Sequence, residues 1–302
     1  VKIMKRESML ELIGNTPMVA YRHNDQVLWL KLEMFNPTGS VKVRPAFFML
    51  KEAKEQGLLH HQSHIVEATS GNMGIALAFV AAQFGYKFTA VMPETMSEER
   101  RALIRAYGAN IVLTAGSEGM KGAIQEAERM GKEDVNIFIP HQFDNGANAN
   151  AHYKTTGPEI YRDSEGKVEA FIAGIGSGGT ITGVGRYLKE KHSTIKIIGL
   201  EPENSPVLTA NHGGKHRIQG IGAGFVPSIL DRSILDEVLT IKDEEAIDAA
   251  RLLAKEQGIF VGISSGAAFS GALRYLTAHP EIKEAVTILP DTGERYLSLG
   301  IF

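Results

Sequence analysis

The stretch Lys167–Lys191, KVEAFIAGIGSGGTITGVGRYLKEK, carries the pattern on which the rest of the chain is built. An apolar run, Lys167 to Ala173, reads as a strand. The run Gly174-Ile175-Gly176-Ser177-Gly178-Gly179-Thr180 reads as a turn, and a helix follows to about Lys191. Glycines at a strand-to-helix turn let backbone N–H groups and a helix N-terminus approach an anion closely, which suits a phosphate. Three readings of the loop stay open: a phosphate site, a tightly packed turn, and a dinucleotide site. The last arises because Gly174, Gly176 and Gly179 satisfy G-x-G-x-x-G, with Glu201 ending a later strand 22 residues past Gly179.

The same unit recurs. His64–Ala68 reads as a strand running into Thr69-Ser70-Gly71-Asn72 and a helix from Met73 to Phe84. Phe260–Ile263 runs into Ser264-Ser265-Gly266 and a helix to about Ala278. Further strands are expected at Val27–Leu32, Phe88–Met92, Asn110–Thr114, Val135–Ile139, Ile195–Leu200 and Ala285–Leu289. Further helices are expected at Pro45–Gln56, Ser97–Tyr107 with Ser97 as N-cap, Met120–Met130 and Glu244–Gln257. Apolar strands alternating with helices predict an α/β protein with two doubly wound, mainly parallel sheets. At roughly 150 residues per domain, 302 residues give two domains. The boundary is placed in the Gly/Asn-rich stretch Asp144–Ala151, giving 1–145 and 146–302, with the segment near 15–34 a candidate to pack with the second. Asn204–Asp236 reads as a long irregular loop.

Composition narrows the chemistry. The chain has no cysteine, which excludes disulfides, Cys-ligated metals and a thiol nucleophile, and fits a reducing, cytoplasmic setting. A net charge of −3 argues against nucleic-acid and membrane-surface partners. No apolar run approaches the ~18 residues of a membrane span, and Val1–Ile13 has no signal-peptide core. The ten histidines show no metal-ligand spacing, so no metal site is expected.

Gly262-Ile263-Ser264-Ser265-Gly266 fits the nucleophile elbow G-x-S-x-G. A hydrolase of that type needs Asp and then His downstream, and the last histidine, His279, precedes Asp291. Thr69–Asn72 offers hydroxyls and N–H groups to a carboxylate or phosphate, or an ordinary helix cap. Lys42 opens a helix after Asn36-Pro37-Thr38-Gly39-Ser40-Val41. The positive end of a helix disfavours a cation, and a lysine of lowered pKa suits Schiff-base chemistry.

One lysine, three small-residue turns and a phosphate loop together describe a pyridoxal phosphate site. Here the sequence resembles the cysteine synthases (O-acetylserine sulfhydrylases) of the fold-type II pyridoxal phosphate enzymes. The resemblance runs through Leu12–Pro17, Asn36–Lys42, Glu67–Asn72, Met92–Ser97, Lys154–Ile160, Gly176–Thr180, Gln219–Gly224, Gly262–Ala267 and Gly293–Leu297, essentially the whole chain. It implies a cofactor cleft between two domains, with Lys42 holding the cofactor as an aldimine and acting as the catalytic base. By the same resemblance Asn72 bonds the ring hydroxyl, Gly176, Ser177, Gly178, Gly179 and Thr180 bind the phosphate, and Ser264 faces the pyridine nitrogen. Thr69, Ser70, Gly71, the Met73 backbone and Gln142 hold the substrate carboxylate, and Gly220 lines the substrate cleft.

The expected reaction forms L-cysteine from O-acetyl-L-serine and sulfide through an aminoacrylate. The alternatives are related β-replacements or eliminations: O-phosphoserine sulfhydrylase, cystathionine β-synthase, diaminopropionate synthase or a sulfide-releasing cysteine lyase. From another class, an NAD-dependent oxidoreductase competes. Val43 stands where many relatives carry Asp, Met73 where Thr is usual, and Arg44-Pro45 resembles the diaminopropionate branch. The chain ends soon after Tyr296-Leu297, like the shorter members. The resemblance further implies a homodimer and makes serine acetyltransferase a candidate partner.

Overall fold

A computed structural model describes residues 5–69 and 71–302. Two sheets organise them. The larger has six strands in the order β1-β2-β10-β7-β8-β9: β1 Met18–His23, β2 Gln26–Leu32, β7 Ala170–Gly174, β8 Lys196–Pro202, β9 Glu237–Ile241 and β10 Glu284–Leu289. Only β1 runs antiparallel to its neighbour. The smaller sheet is wholly parallel, in the order β5-β4-β3-β6: β3 His64–Ala68, β4 Lys87–Pro93, β5 Asn110–Thr114 and β6 Ile137–Phe138.

Helices cover both sheets, as parallel strands require, because both faces of such a sheet must be buried. Around the smaller sheet lie α1 Val43–Glu55, α2 Asn72–Phe84, α3 Glu98–Ala106 and α4 Gly119–Glu133. The short α5 Gly146–Ala151 and α6 Gly157–Asp163 flank a π-helical turn, His152–Thr156. They are followed by α7 Gly179–Lys191, α8 Val207–Ala210, α9 Asp243–Gln257 and α10 Ile263–Ala278. Residues 73–81 of α2 are all buried, so this helix is apolar on every side and is packed on every side. Separate cores form, one including Leu28, Leu30, Ile172, Ile198, Phe269 and Leu289, another including Met49, Leu50, Ile65, Leu77 and Phe88.

Several expectations shift. The first strand of the hairpin, β1, and the strand β9 are additional. Alternation in β1 is half solvated and interrupted by charge, so its apolar signal is weak. The helix expected from Pro45 begins at Val43, with Lys42 as its N-cap residue. Ser97 does occupy the N-cap position of α3, but its hydroxyl makes no capping bond. The Gly/Asn-rich stretch Asp144–Ala151 is largely the helix α5, capped by the Asn145 side chain on the Ala147 N–H, and it packs against α1 and α7.

Four strands aim their carboxyl ends at one place. β2 leads through two 3-10 turns to Lys42, β3 to Thr69–Asn72, β7 to the glycine loop, and β10 to Pro290-Asp291. This is the end of a parallel sheet at which ligands bind.

Candidate active site

A cavity at those strand ends is lined by Lys42, Asn72, Gly176, Ser177, Gly178, Thr180, Gly220 and Ser264, together with Val41, Ile221, Ile288 and Pro290. Thus residues spread over more than 220 positions of sequence share one set of walls. Each is placed by a local feature. Val41 N–H donates to Pro290 O at 2.8 Å, which ties the lysine loop to the end of β10. Desolvation in the cleft pushes the Lys42 ammonium below its usual range, and the negative charge of Asp291 opposes that shift. Among the described residues no carboxylate lies within ion-pair distance of Nζ.

The loop on the facing wall is tightly specified. A Cβ on Gly176 would stand 2.5 Å from Gly220 O, and Gly178 has φ +85°, the left-handed region. No side chain caps α7, so its first N–H groups lack both an intrahelical and a side-chain acceptor, and Gly178 and Thr180 at this helix start line the cavity. Asn148 Nδ2 donates to Ser177 Oγ at 3.0 Å and to Gln142 O at 2.8 Å. His152 Nε2 sits 3.2 Å from Thr180 Oγ1 and its Nδ1 2.9 Å from Thr156 Oγ1. Burial, reinforced by the Arg44 and Lys42 charges, holds His152 well below its usual pKa, so the ring is neutral. Uncapped N–H groups, two hydroxyls and close-packed glycines suit a phosphate, and the amine opposite suits an aldehyde. These residues fit pyridoxal phosphate.

Not every anticipated residue lines the cavity. Thr69, Gly71 and Met73 lie at the β3–α2 turn beside Asn72, while Gln142 is linked to the phosphate loop by two hydrogen bonds through Asn148. The Met73 side chain is buried in the core around the smaller sheet, leaving its backbone alone to face a ligand. Ser70 lies outside the described residues. Glu201, the acid a dinucleotide reading requires, is spent elsewhere: it accepts from the N–H groups of Leu208 and Thr209 and from the Thr209 hydroxyl.

Other residues at the site had no anticipated role. Glu67 is buried and accepts from the His141 and Gln142 N–H groups at 3.0 and 3.1 Å, which sets the position of Gln142. Burial pushes its carboxyl up to about 7 against those two bonds. Asp291 accepts from Asn72 Nδ2 at 2.7 Å and from Tyr296 OH at 2.6 Å. Its place immediately beyond an apolar strand is the signal that sequence offered.

The sequence model of the family described as pyridoxal-phosphate dependent enzyme matches residues 9–291. A cysteine synthase from Staphylococcus aureus (strain Mu50) is 47% identical over 301 residues, covering 98% of this chain and 97% of the relative. The crystal structure of cysteine synthase from Entamoeba histolytica superposes with a TM-score of 0.97 at 40% identity, covering 100% of this chain and 92% of that one. A hydrogen sulfide-producing enzyme from Fusobacterium nucleatum superposes with a TM-score of 0.93 at 40% identity, covering 98% and 99%.

Proposed function

Because the chain belongs to the pyridoxal-phosphate dependent enzymes, we propose that it is a cysteine synthase, replacing the acetoxy group of O-acetyl-L-serine by sulfide. The observation that carries this reading is the Lys42 amine on one wall of a cavity whose other wall is the 176–180 loop. It is supported by 47% identity to a cysteine synthase along almost the whole chain.

Pyridoxal phosphate, when bound, supplies the electron sink for chemistry at the substrate α-carbon. The rest falls to the protein. The N–H groups of Gly176–Thr180 and the hydroxyls of Ser177 and Thr180 bind the phosphate, at the positive end of α7. Asn72 donates to the ring hydroxyl oxygen. Ser264 would offer the ring nitrogen a neutral hydroxyl, which stabilises positive charge there less than a carboxylate would. That weaker stabilisation suits loss of a β-leaving group together with the α-proton. Thr69, Gly71, the Met73 N–H and Gln142 hold the substrate carboxylate. Lys42 Nζ, with its lowered pKa, takes the proton from Cα. Gly220, lacking a side chain, leaves room beside Ser264 for the entering sulfide.

Residues 1–145 and 146–302 form two domains in this reading, with β1 and β2 joined to the sheet of the second. The enzyme works as a cytoplasmic homodimer, with serine acetyltransferase as a candidate partner. These points rest on the resemblance to cysteine synthases.

The test is an absorption spectrum of the purified holoenzyme, followed by O-acetylserine without sulfide and then sulfide. The reading expects a visible band that shifts with O-acetylserine and returns with sulfide, as one cysteine forms per acetate released. A band that ignores O-acetylserine and answers O-phosphoserine, serine or cysteine would reassign the donor. A protein that stays colourless after incubation with pyridoxal phosphate would overturn the cofactor role of Lys42.

A further inference from the structure

The chain beyond β10 folds back onto the cavity wall and grips it at several points. Asp291 is fully buried. Its backbone forms an isolated bridge with Ser40, two residues before Lys42. Its Oδ2 accepts from Asn72 and from Tyr296, as described. Its Oδ1 has no hydrogen-bond partner among the described residues and packs against Gly262, the N-cap residue of α10. Arg295 holds the other end of the same amide: Nη1 donates to Asn72 Oδ1 and Nη2 to Thr38 O.

Asn72 is therefore clamped between a carboxylate and a guanidinium. A flipped amide would set its NH₂ against the guanidinium and its carbonyl against the carboxylate, losing both bonds. In the clamped orientation one Nδ2 proton goes to Asp291 and the second is left for another acceptor. The Oδ1 end already accepts from Arg295. Asp291 is also the anion nearest in effect to Lys42, whose own amine has no ion pair among the described residues.

We propose that Asp291 and Arg295 are positioning residues for the cofactor: together they fix the Asn72 amide with its N–H toward the ring hydroxyl oxygen, and Asp291 supplies the counter-charge to the nitrogen of Lys42. This rests on the placement of the cofactor at Lys42 and Asn72 proposed above. The other titratable groups facing this cluster are His152, near Lys42, and Tyr296, Tyr107 and Arg100, near Arg295. His152 is neutral, and burial with the Asp291 charge pushes Tyr296 well above its ordinary value, so neither changes charge near neutrality.

The experiment compares holoenzymes of the parent, Asp291→Asn, Arg295→Met, Asn72→Ala and the double variant Asp291→Asn/Asn72→Ala. Three quantities are read: the pH at which the visible band of the lysine-bound cofactor is lost, the rate of cofactor release on dilution, and the melting curve of each apoprotein. Removing the carboxylate disfavours the protonated Lys42 nitrogen, so Asp291→Asn lowers the midpoint, by about one unit. Removing the guanidinium raises it. Both variants release cofactor faster, on the order of tenfold, through loss of the hydrogen bonds that orient Asn72. In the Asn72→Ala background Asp291→Asn still lowers the midpoint but no longer speeds release.

A merely structural role would not give shifts of opposite sign. Unchanged midpoints in both variants, or equal acceleration with and without Asn72, overturn the proposal. If Asp291→Asn fails to fold, the sign of the Arg295→Met shift decides. If the parent is colourless, or Lys42→Ala keeps a covalently bound cofactor, what fails is the placement of the cofactor, and the clamp falls with it.

Discussion

Replacing Arg44 with methionine removes the centre of a buried charge network. Arg44, Lys31 and Glu33 are fully buried and Glu159 nearly so. The guanidinium meets both oxygens of Glu33 at 2.7 and 2.8 Å and both oxygens of Glu159 at 2.8 Å. It also donates to the hydroxyls of Thr16 and Thr155. Lys31 lies 2.9 Å from Glu159 and donates to Thr16 O. Two cations and two anions cancel. Burial would raise both carboxyls, but Arg44 outweighs it, holding Glu33 below its usual range and Glu159 down to about 2. The network joins β2, the start of α1 and α6, and Arg44 stands two residues after Lys42.

With methionine at 44, Lys31 still serves Glu159, but Glu33 keeps only Thr16 and Asn36 as donors. Breaking a buried pair from one side costs about 3–5 kcal/mol. That is a large part of a total stability on the order of 5–15 kcal/mol. At roughly 2–4 °C per kcal/mol it lowers Tm by about 10 °C. The stranded Glu33 carboxyl then moves from below to above its ordinary value. A raised carboxyl pKa gives stability that is present at low pH and lost as pH rises through the folded value. Arg44→Met should therefore weaken further from pH 5 to 8, and adding Glu33→Gln should restore part of the loss and flatten that slope. Urea unfolding of the three apoproteins at several pH values measures this. An Arg44→Met protein within about 1 kcal/mol of the parent, with no added pH slope, refutes the reasoning.

Lys42→Ala should bind pyridoxal phosphate without the visible band of a lysine-bound cofactor and lose measurable cysteine formation, checked by spectrum and product assay. Gly176→Ala should weaken cofactor binding at least tenfold while the apoprotein still folds, because the added methyl displaces the Gly220 carbonyl and shifts both loops; unchanged affinity by equilibrium dialysis would contradict the close approach. Glu67 releases its proton at about 7 in the folded protein against an ordinary 4.5. The folded state thus holds that proton more tightly, and stability falls as pH rises from about 4.5 to 7, by up to ~3 kcal/mol. Glu67→Gln should remove most of that slope in urea unfolding between pH 5 and 8, and an identical slope would show that Glu67 is not its source.

Local order is strongly written in this chain. An apolar strand followed by small residues and an amphipathic or apolar helix recurs at residues 64–84 and 170–191, and each unit is built from contacts within a few turns of chain. That pattern, with the start of α1 at Lys42 and the glycine loop ahead of α7, made the parallel sheets and the principal site residues legible before any tertiary structure. The strand expected at Phe260–Ile263 does not form: Val261 makes only an isolated bridge to Thr292, and α10 already begins at Ile263. The short strand β1 and the helix α5 were not legible, since half-solvated alternation and a Gly/Asn-rich run carry little periodic signal. Nor was the burial of the Met73 side chain, because α2 is apolar on all sides and its sequence does not say which face meets the cleft. The clamp on Asn72 and the Arg44 network lay beyond sequence altogether. Asn72 and Asp291 are 219 residues apart, and Arg44 and Glu159 are 115 apart. A lone Asp after a strand or a lone Arg at a helix start has the local appearance of a surface charge. Only the packing of one sheet's strand ends against the other's loops removes water from these groups and turns them into partners.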